Sequence, residues 1–344
     1  MTRRMPAEWE PHAAVWVAWP HAPETWPGCL DAAEQEFRTL VEALSASEPV
    51  NVLVQSPAHA QHVHEQLVSQ FESARPIQLH EIPTDDAWLR DTGPTFVEDS
   101  QAGLLALDWT FNSWGGKYPP WELDDQAARK LAARAKIRCQ RVELVIEGGS
   151  LEVDGEGTLL ATESTLLDSK RNPGITRAKL QQELGELLGV TRIVWLEGEI
   201  EGDDTDGHID QIARFVSPGR VVCAHEPDAA DPNHEPLQRC RAALRRARDA
   251  RGRRLEVIDL PMPPRLEAAG ARLPASYANF YVSNRTVIVP VFDVPTDAQA
   301  LKLLSELFPE RAVRGVPCRT LVRGLGSVHC LAQQQPTLRR GHDA

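Results

Sequence analysis

The sequence of 344 residues predicts an α/β fold in which one unit is repeated five times around a closed, propeller-like ring. Three observations predict it. Helical segments alternate with short strands, most of these strands are followed by a hairpin, and polar residues recur where strand and hairpin meet. A unit of roughly 50 to 70 residues repeated in this way fits a closed array better than an open solenoid. We expect one catalytic domain over residues 1–344, built of five repeats.

The helices are predicted from apolar residues that recur at helical spacing. In chain order, these segments cover 30–44, 57–72, 123–137, 180–188, 234–251 and 297–308. Each of the last five is followed by a β-like run, and the runs are IQLHEIP, RVELVIE, TRIVWLE, LEVIDLP and CRTLVRG. The order helix then strand therefore occurs five times.

Paired apolar runs with turn residues between them predict β-hairpins after four of these strands. The hairpin sequences are PTFVEDSQAGLLALDW, SLEVDGEGTLLAT, IARFVSPGRVVCA and NFYVSNRTVIVPV. The fifth hairpin needs both ends of the chain, because SVHCLAQ near the C-terminus has to pair with AAVWVAWP near the N-terminus. That pairing would close the ring.

Composition restricts the partners and the location of the protein. A formal net charge of -12 argues against binding to nucleic acid or to an anionic membrane, and it favours a small cationic substrate. The N-terminus lacks the apolar core of a signal peptide and no apolar run reaches membrane-spanning length, so we expect a cytoplasmic protein. The six cysteines form no C-x-x-C pair, which predicts neither a zinc site nor a disulfide framework.

Polar residues that can carry chemistry recur where each strand meets its hairpin. They are Asp91 in WLRDTGP, Glu147 in IEGGS, His208 and Asp210 in DDTDGHID, Asn279 in ASYANF, and Cys330 in GSVHC. In a ring, the equivalent ends of the units converge on the axis. We therefore expect residues from distant parts of the chain to share one pocket.

Cys330 has two interpretations. A single cysteine is most often a small buried hydrophobe, whereas a nucleophilic cysteine needs a lowered pKa or a neighbouring base. Successive side chains of a strand point to opposite faces, so we expect His329 to face away from Cys330 and His208 to be its partner. By the same alternation, Asp210 is expected on the strand face that carries His208.

The acidic loop EGDDTDGHIDQ over 201–211 has an alternative interpretation as a metal site with oxygen ligands and one imidazole. It lacks the EF-hand order of a central glycine and a closing glutamate, and no second histidine lies nearby at zinc-site spacing. A solvated acidic loop would explain the aspartates, but it would not explain why the residues GHID lead directly into an apolar strand. The IEGGS and LRDTGP motifs, taken singly, are also typical of tight turns.

Eight motifs follow one another over almost the whole chain, and they are MPAEWEPH, WLRDTGP, WGGKY, IEGGS, DDTDGHID, RNP, SYANF and VHCLAQQQP. Together they resemble the agmatine deiminase family, which belongs with bacterial peptidylarginine deiminases to a wider group of guanidine-modifying enzymes. The resemblance implies a five-bladed α/β propeller with pseudo-fivefold symmetry, a guanidine substrate, no cofactor and no metal. It is compatible with a homodimer, and it implies a step in polyamine synthesis from arginine.

The same resemblance assigns roles to the junction residues. Cys330 is the nucleophile that attacks the guanidinium carbon, and His208 is the acid and base that protonates the departing ammonia and then activates water. Asp91 and Asp210 hold the guanidinium nitrogens, while Glu147 orients His208 and contacts the substrate. A guanidinium is planar, cationic and rich in donors, so it needs convergent carboxylates, and its resonance-stabilised carbon needs a soft, strong nucleophile.

The remaining substrate contacts also come from the resemblance. Asp204, four residues before the histidine, is expected to meet the distal amine of agmatine, and Trp88 and Asn279 are expected to line the pocket. Two departures from the family concern the substrate. TDGH replaces TNGH, which adds Asp206 near the entrance, and GLGSVHC replaces a run of three glycines, which places Leu325 in the turn before the cysteine.

Three hypotheses of function follow. The first is hydrolytic deimination of agmatine to N-carbamoylputrescine and ammonia through a covalent thiouronium on the cysteine. The second keeps the fold and the mechanism but takes peptidyl-arginine or another guanidine compound as the substrate. The third is a metal-dependent hydrolase built on the acidic loop, which activity in the presence of excess chelator would exclude.

Overall fold

Strands and helices alternate along the chain, as the spacing of the apolar residues predicts. The computed structural model describes residues 3–68 and 73–338, and the fold within them is mixed α/β. The helices are α1 (Leu30–Ser45), α2 (Pro57–Val68), α3 (Leu89–Thr92), α4 (Ser113–Gly116), α5 (Ala127–Ala135), α6 (Glu163–Leu166), α7 (Arg177–Leu188), α8 (His234–Arg246), α9 (Thr296–Leu307) and α10 (Val328–Leu331). Four 3₁₀ turns cover Asp124–Gln126, Gly148–Ser150, Ile209–Gln211 and Leu321–Gly324.

The strands are mostly short. They are β1 (Arg3–Arg4), β2 (His12–Ala18), β3 (Val50–Val54), β4 (Ile77–Glu81), β5 (Thr95–Asp99), β6 (Gly103–Thr110), β7 (Arg138–Val145), β8 (Glu152–Val153), β9 (Thr158–Thr162), β10 (Arg192–Leu196), β11 (Ala213–Ser217), β12 (Arg220–His225), β13 (Glu256–Pro261), β14 (Glu267–Ala268), β15 (Ala271–Arg272), β16 (Tyr281–Val282), β17 (Thr286–Val291), β18 (Ala312–Pro317) and β19 (Ala332–Pro336).

One pairing pattern recurs in five sheets. An antiparallel pair is followed by a parallel third strand, and the orders are β5-β6-β7, β8-β9-β10, β11-β12-β13, β16-β17-β18 and β19-β2-β3. β1 adds to the first of these sheets and β4 to the last, while β14 and β15 form a separate ribbon. Parallel neighbours need a crossover, which helices provide in each case.

The two ends of the chain pair with each other, as expected from the sequence. β19 lies antiparallel to β2, with Ala332 opposite Val17 and Gln334 opposite Val15. The side chains tighten this contact, because the Trp16 indole N–H donates to Gln335 at 2.8 Å. The N-terminal and C-terminal segments are therefore parts of one sheet.

The predicted helices and strands agree with the structure apart from the differences given below and from SVHCLAQ, in which Val328–Leu331 is a helical turn and the strand begins at Ala332. The predicted strand CRTLVRG is wrong, since the parallel strand is β18 and Leu321–Gly324 is a 3₁₀ turn. Glu36 explains the turn, because its carboxylate accepts the backbone N–H groups of Thr320 and Leu321 at 2.8–3.0 Å. β3 was not predicted, and helix α8 ends at Arg246 rather than at residue 251. Residues 69–72 of the predicted second helix lie outside the described residues.

The core lies between the sheets and the helices that cover them. Helix α1 shows why, because its buried side chains recur at helical spacing and include Phe37, Leu40 and Leu44. This face packs against β17 and β18 of the neighbouring sheet. Full burial of one such side chain stabilises the fold by about 1.5–3 kcal/mol. Over residues 3–68 and 73–338, no helix has both the length and the apolar character that a membrane span requires.

Four short helical turns at the ends of the strands pack against one another. Helix α3 contacts α10 and the turn Gly148–Ser150, and that turn contacts Ile209–Gln211. The backbone N–H of His329 in α10 donates to the carbonyl of Asn279, which adds a fifth junction. The fold thus gathers backbone from five distant parts of the chain at one place.

We predict that Gly189 is required where α7 ends. Its φ is +73°, and a Cβ there would lie 1.8 Å from the carbonyl oxygen of Arg3. Gly174 has the same φ of +73° but open space around it, so it is the matched control. Gly174→Ala should lower the free energy of unfolding by about 1 kcal/mol, from backbone strain alone. Gly189→Ala should lower it by about 2–4 kcal/mol, and equal losses by denaturant titration would contradict the clash.

Candidate functional site

Two of the packed turns, α3 and α10, contribute to the lining of a cavity of about 530 Å³ that opens to the surface. Its lining includes Trp88, Asp91, Trp114, Asp204 and Cys330. Two of the residues expected to bind substrate, Trp88 and Asp204, therefore lie in the same cavity as the expected nucleophile. Glu147, His208, Asp210 and Asn279 do not line the cavity, and they are buried in contact with Asp91, with Cys330 or with one another.

Cys330 lies in α10, and its side chain is almost completely buried, with an exposed fraction of 6%. The side-chain amide of Asn279 donates to its sulfur at 3.1 Å, and the sulfur lies 3.7 Å from Oδ2 of Asp210. Burial, the charge of Asp210 and the charge of Asp91 together raise the pKa of the Cys330 thiol well above its ordinary value. The ligand-free site therefore keeps this thiol protonated at neutral pH.

The expectation that His329 faces away from the site is wrong. It assumed a strand, whereas Val328–Leu331 is one turn of helix, so strand alternation does not apply. Nδ1 of His329 lies 2.7 Å from Oδ2 of Asp210. The strand-face argument for His208 and Asp210 is wrong for the same reason, since Ile209–Gln211 is a 3₁₀ turn. Both side chains nevertheless lie beside Gly149.

His208 is buried between two carboxylates. Its Nδ1 lies 3.7 Å from Asp91 and its Nε2 lies 3.7 Å from Glu147, which are ion-pair distances longer than hydrogen bonds. Burial lowers the pKa of an imidazole, but the charges of Asp91, Glu147 and Asp210 outweigh it and raise the pKa of His208 to about 9. The side chain is therefore an imidazolium at neutral pH, able to give up a proton.

The three carboxylates differ in their partners. Asp91 accepts the Trp114 indole N–H at 3.0 Å and the Gly149 N–H at 2.9 Å. Burial, together with the charges of Asp210 and Glu147, raises its pKa despite the imidazolium of His208. Burial also opposes ionisation of Asp210, but His329 and His208 outweigh it and lower the pKa of that carboxyl. Asp210 is therefore ionised more readily than Asp91.

Arg171 holds Glu147 in place from the side opposite His208. Its Nε donates to Oε1 of Glu147 at 2.8 Å, and its Nη1 donates to Oδ2 of Asp206 at 2.8 Å. Burial opposes ionisation of Glu147, but His208 and Arg171 outweigh it and lower the pKa of this carboxyl. Glu147 is therefore an ionised acceptor whose second oxygen faces the imidazolium.

Two glycines allow these groups to approach one another. A Cβ on Gly149 would lie 2.5 Å from Nδ1 of His208 and 2.9 Å from Oδ1 of Asp91. A Cβ on Gly148 would lie 2.1 Å from the carbonyl oxygen of Arg90. The paired glycines of IEGGS therefore serve close packing, which agrees with the turn interpretation and explains why that turn lies at the site.

Unpaired polar atoms concentrate at this place. Among the described residues, buried side-chain atoms without a hydrogen bond include both ring nitrogens of His208, Oε2 of Glu147 and Oδ1 of Asp210. Buried polar groups in proteins are nearly always hydrogen-bonded, and exceptions call for a functional reason. The two carboxylate oxygens suit a ligand that is cationic and rich in hydrogen-bond donors.

At the entrance, Asp204 already has partners within the protein. Lys117 donates its ammonium to the Asp204 carbonyl and lies 3.4 Å from the carboxylate, and the Tyr118 hydroxyl also donates to that carboxylate. Lys117 donates as well to Asp206 at 2.9 Å. The acid that replaces the asparagine of the family motif is thus bound by Lys117 and Arg171.

The turn before the cysteine keeps a glycine-like shape although it contains Leu325. That residue has a φ of +73°, which glycine adopts without strain and leucine does not. The next residue must be small, since a Cβ on Gly326 would lie 2.5 Å from the Trp88 ring. The departure from three glycines therefore leaves the path of the backbone compatible with the pocket.

The acidic loop uses its carboxylates to hold its own backbone. Asp203 accepts hydrogen bonds from Thr205 and from the backbone of Gly207, and Asp206 pairs with Lys117 and Arg171. Within 3–68 and 73–338, no group of three or more His, Cys, Asp or Glu side chains is arranged to hold a metal ion. The loop geometry thus gives the metal hypothesis no ligand set in this part of the chain.

Sequence reasoning left several site residues without a role. Trp114, Arg171 and Glu8 lie in quoted motifs, namely WGGKY, RNP and MPAEWEPH, and the motifs themselves were the available signal. Arg214 carries no such signal, yet it lies buried against Glu8 at 2.9 Å. A lone arginine inside a predicted strand is indistinguishable in sequence from an arginine at the surface.

Comparisons with known proteins agree with this geometry. Residues 4–336 match the model of the Porphyromonas-type peptidyl-arginine deiminase family. The agmatine deiminase of Stutzerimonas stutzeri (strain A1501) is 41% identical over 356 residues, which cover 96% of this chain and 95% of that protein. That of Pseudomonas aeruginosa (strain LESB58) is 40% identical, covering 98% and 96%. The solved agmatine deiminase of Enterococcus faecalis superposes with a TM-score of 0.93 at 34% identity, covering 98% and 97%.

We predict that iodoacetamide alkylates Cys330 slowly at neutral pH, because the thiolate that reacts is disfavoured there. Asp210→Asn removes a negative charge beside the sulfur. The pKa of the thiol should fall, and alkylation at a given pH should become faster. The rate at Cys330 is followed by peptide mass spectrometry as a function of pH. Asp108→Asn, which removes a buried carboxylate elsewhere, is the control, and equal effects of both variants would contradict this electrostatic account.

Proposed function

The chain belongs to the Porphyromonas-type peptidyl-arginine deiminase family, and from this premise we propose that it hydrolyses agmatine to N-carbamoylputrescine and ammonia. One observation carries the proposal. A thiol and a carboxylate line one cavity, and an imidazolium and two further carboxylates from distant segments are buried next to them, with carboxylate oxygens left for a donor-rich cation. Curated relatives about 40% identical over nearly the full chain are agmatine deiminases.

The carboxylates bind and orient the guanidinium. Asp91 and Asp210 accept its N–H groups, and Glu147 contributes the oxygen that faces His208. Two charge-assisted contacts to a planar cation fix the plane of the guanidinium as well as its position. The acidic surroundings that disfavour a thiolate in the ligand-free site are neutralised when the cation enters. Substrate binding therefore lowers the pKa of Cys330 and helps to form the nucleophile.

The first half of the reaction forms a covalent intermediate. Once the substrate is bound, the Cys330 thiol loses its proton to solvent, and the thiolate attacks the central guanidinium carbon, which gives a tetrahedral adduct. His208, an imidazolium at neutral pH, donates its proton to the departing nitrogen, and the C–N bond breaks to release ammonia. A thiouronium on Cys330 remains, and His208 is left neutral.

The second half returns the protein to its starting state. Neutral His208 takes a proton from water, and the resulting hydroxide adds to the thiouronium carbon. The second tetrahedral adduct collapses as its hydroxyl proton passes to the departing sulfur. The C–S bond breaks, the Cys330 thiol is restored, and the ureido product leaves with the carbonyl oxygen from water. The sum is agmatine plus water giving N-carbamoylputrescine plus ammonia, and neither half requires a metal or a redox partner.

We also propose that the five sheets form one closed ring with pseudo-fivefold symmetry over a single catalytic domain. The repeated pairing pattern and the pairing of β19 with β2 support this arrangement. A cytoplasmic location fits the need to keep the Cys330 thiol reduced.

The test measures ammonia and ureido product from agmatine, arginine and an arginyl peptide in parallel, with excess chelator present. We expect turnover of agmatine, and we expect Cys330→Ala to abolish it. Cys223→Ala removes another buried thiol and should keep the activity. Preference for arginine or the peptide would overturn the substrate, and loss of turnover on chelation would overturn the metal-free mechanism.

Asp204 is predicted to bind the distal ammonium of agmatine. The substrate ammonium has to share this carboxylate with Lys117 or displace it, and Asp206 gives Lys117 a second partner at 2.9 Å. Loss of a charge-assisted hydrogen bond of about 1.5–3 kcal/mol should raise the KM for agmatine about 10- to 100-fold in Asp204→Asn.

The control for this prediction is the substrate rather than a second variant. Butylguanidine has the same reacting group as agmatine but no distal amine. Its turnover by Asp204→Asn should match its turnover by the wild-type protein. If both substrates lose activity equally, Asp204 supports the fold of the entrance instead of selecting the amine.

A further inference from the structure

His329 lies between two carboxylates, and both of its ring nitrogens are within hydrogen-bond distance of them. Nδ1 is 2.7 Å from Oδ2 of Asp210, and Nε2 is 2.8 Å from Oε2 of Glu8. The ring is buried, with 2% of its side chain exposed. A neutral imidazole has one N–H, whereas an ionised carboxylate can only accept. Both contacts are satisfied together only if the ring carries two protons or one carboxylate carries one.

The surroundings of Glu8 favour the first alternative. Its carboxylate accepts from Arg90 at 3.3 Å and from the backbone N–H of Val282 at 2.7 Å, and it forms an ion pair with Arg214 at 2.9 Å. Burial opposes ionisation of Glu8, but Arg214, His329 and Arg90 outweigh it and hold its pKa well below the ordinary value. Glu8 is therefore ionised.

Burial opposes ionisation of Asp210 too, and besides His329 the charges of His208 and Arg214 lower the pKa of its carboxyl. Two carboxylate anions therefore face the two ring nitrogens. The charged and titratable groups around the ring each come from a different element. They are Glu8 in the N-terminal segment, Arg90 in α3, Glu152 in β8, Asp210 in the 3₁₀ turn Ile209–Gln211, Arg214 in β11 and Cys330 in α10. This arrangement fits an imidazolium that donates from both nitrogens.

The imidazolium acts on the site through one oxygen of Asp210. The Oδ2 atom that accepts from His329 is the same atom that lies 3.7 Å from the sulfur of Cys330. The other oxygen, Oδ1, has no hydrogen bond among the described residues. Asp210 is thus held by one oxygen, while the other stays available to the guanidinium.

We propose that His329, which the proposed deimination does not use as an acid or base, is a positioning residue that works as a fixed imidazolium behind Asp210. It keeps Asp210 ionised and, by binding Oδ2, leaves Oδ1 for the guanidinium. It also offsets the negative field of Asp210 at Cys330, so that a thiolate forms there more readily once the substrate is bound. The expected effect of His329 on catalysis rests on the proposed function. Its expected effect on the ionisation of Asp210 and Cys330 does not.

The test compares His329→Gln with His12→Gln. His12 is also buried and lies 3.1 Å from a carboxylate, that of Glu48, so it controls for the loss of a buried histidine and glutamate pair. His329→Gln should lower kcat for agmatine about 10- to 100-fold, as loss of an orienting partner commonly does. His12→Gln should leave kcat near that of the wild-type protein.

The pH dependence separates positioning from structural support. Without the cation the pKa of Asp210 rises, so the acidic limb of kcat/KM should move to higher pH in His329→Gln. In the ligand-free protein, the pH midpoint of Cys330 alkylation should also move upward, because the cation that offsets Asp210 is gone. Equal losses in both variants, or a lower kcat with unchanged pH profiles, would overturn the proposal.

Two measurements do not depend on the catalytic assay, and the second of them needs no variant. Alkylation reports on Cys330 whether or not agmatine is the substrate, so an alkylation shift without guanidine turnover would contradict the proposed function and retain the electrostatic role. Neutron diffraction of the wild-type protein should show deuterium on both Nδ1 and Nε2 of His329. Deuterium on one nitrogen alone would overturn the inference.

Discussion

The burial of several carboxylates around one thiol is the constraint on which the rest of the site depends. Asp91, Asp210 and Glu147 are all buried, and a buried charge is costly unless a partner compensates it. The protein supplies a fixed cation to Glu147 through Arg171, and it places the imidazole of His329 against Asp210. Asp91 has hydrogen bonds and an ion pair with His208 at 3.7 Å, yet burial and the charges of Asp210 and Glu147 raise its pKa. In the proposed function, a bound guanidinium supplies the charge that is missing at Asp91.

The same buried negative charges have different consequences for the thiol of Cys330 and for the imidazole of His208. Negative charge raises the pKa of Cys330 and of His208 alike. The raised pKa makes the thiol unreactive before substrate binds, because a protonated sulfur is a poor nucleophile. For the imidazole it means a proton available for a leaving group at neutral pH. The substrate cation reverses the first effect at the moment when the nucleophile is needed.

The charged network also connects the site to the way in which the chain ends meet. Glu8 comes from the N-terminal segment and His329 from the turn before the last strand, and they form an ion pair at 2.8 Å. Arg214 from the middle of the chain pairs with Glu8 as well. The strands β2 and β19 pair a few residues away from these groups. The contact between the chain ends therefore positions Cys330 as well as completing a sheet.

The sequence by itself determined the α/β alternation, most helices and hairpins, and the residues that meet at the cavity, because apolar periodicity and turn chemistry are local. It did not determine the short turns that carry these residues. Strand alternation placed His329 away from the site, but tertiary packing folds Val328–Leu331 into a helical turn. Nor did it determine the partners of buried charges such as Glu8, Arg171 and Arg214. Their partners are remote in the chain, and the balance between burial and ion pairing that sets each pKa exists only once the tertiary structure has formed.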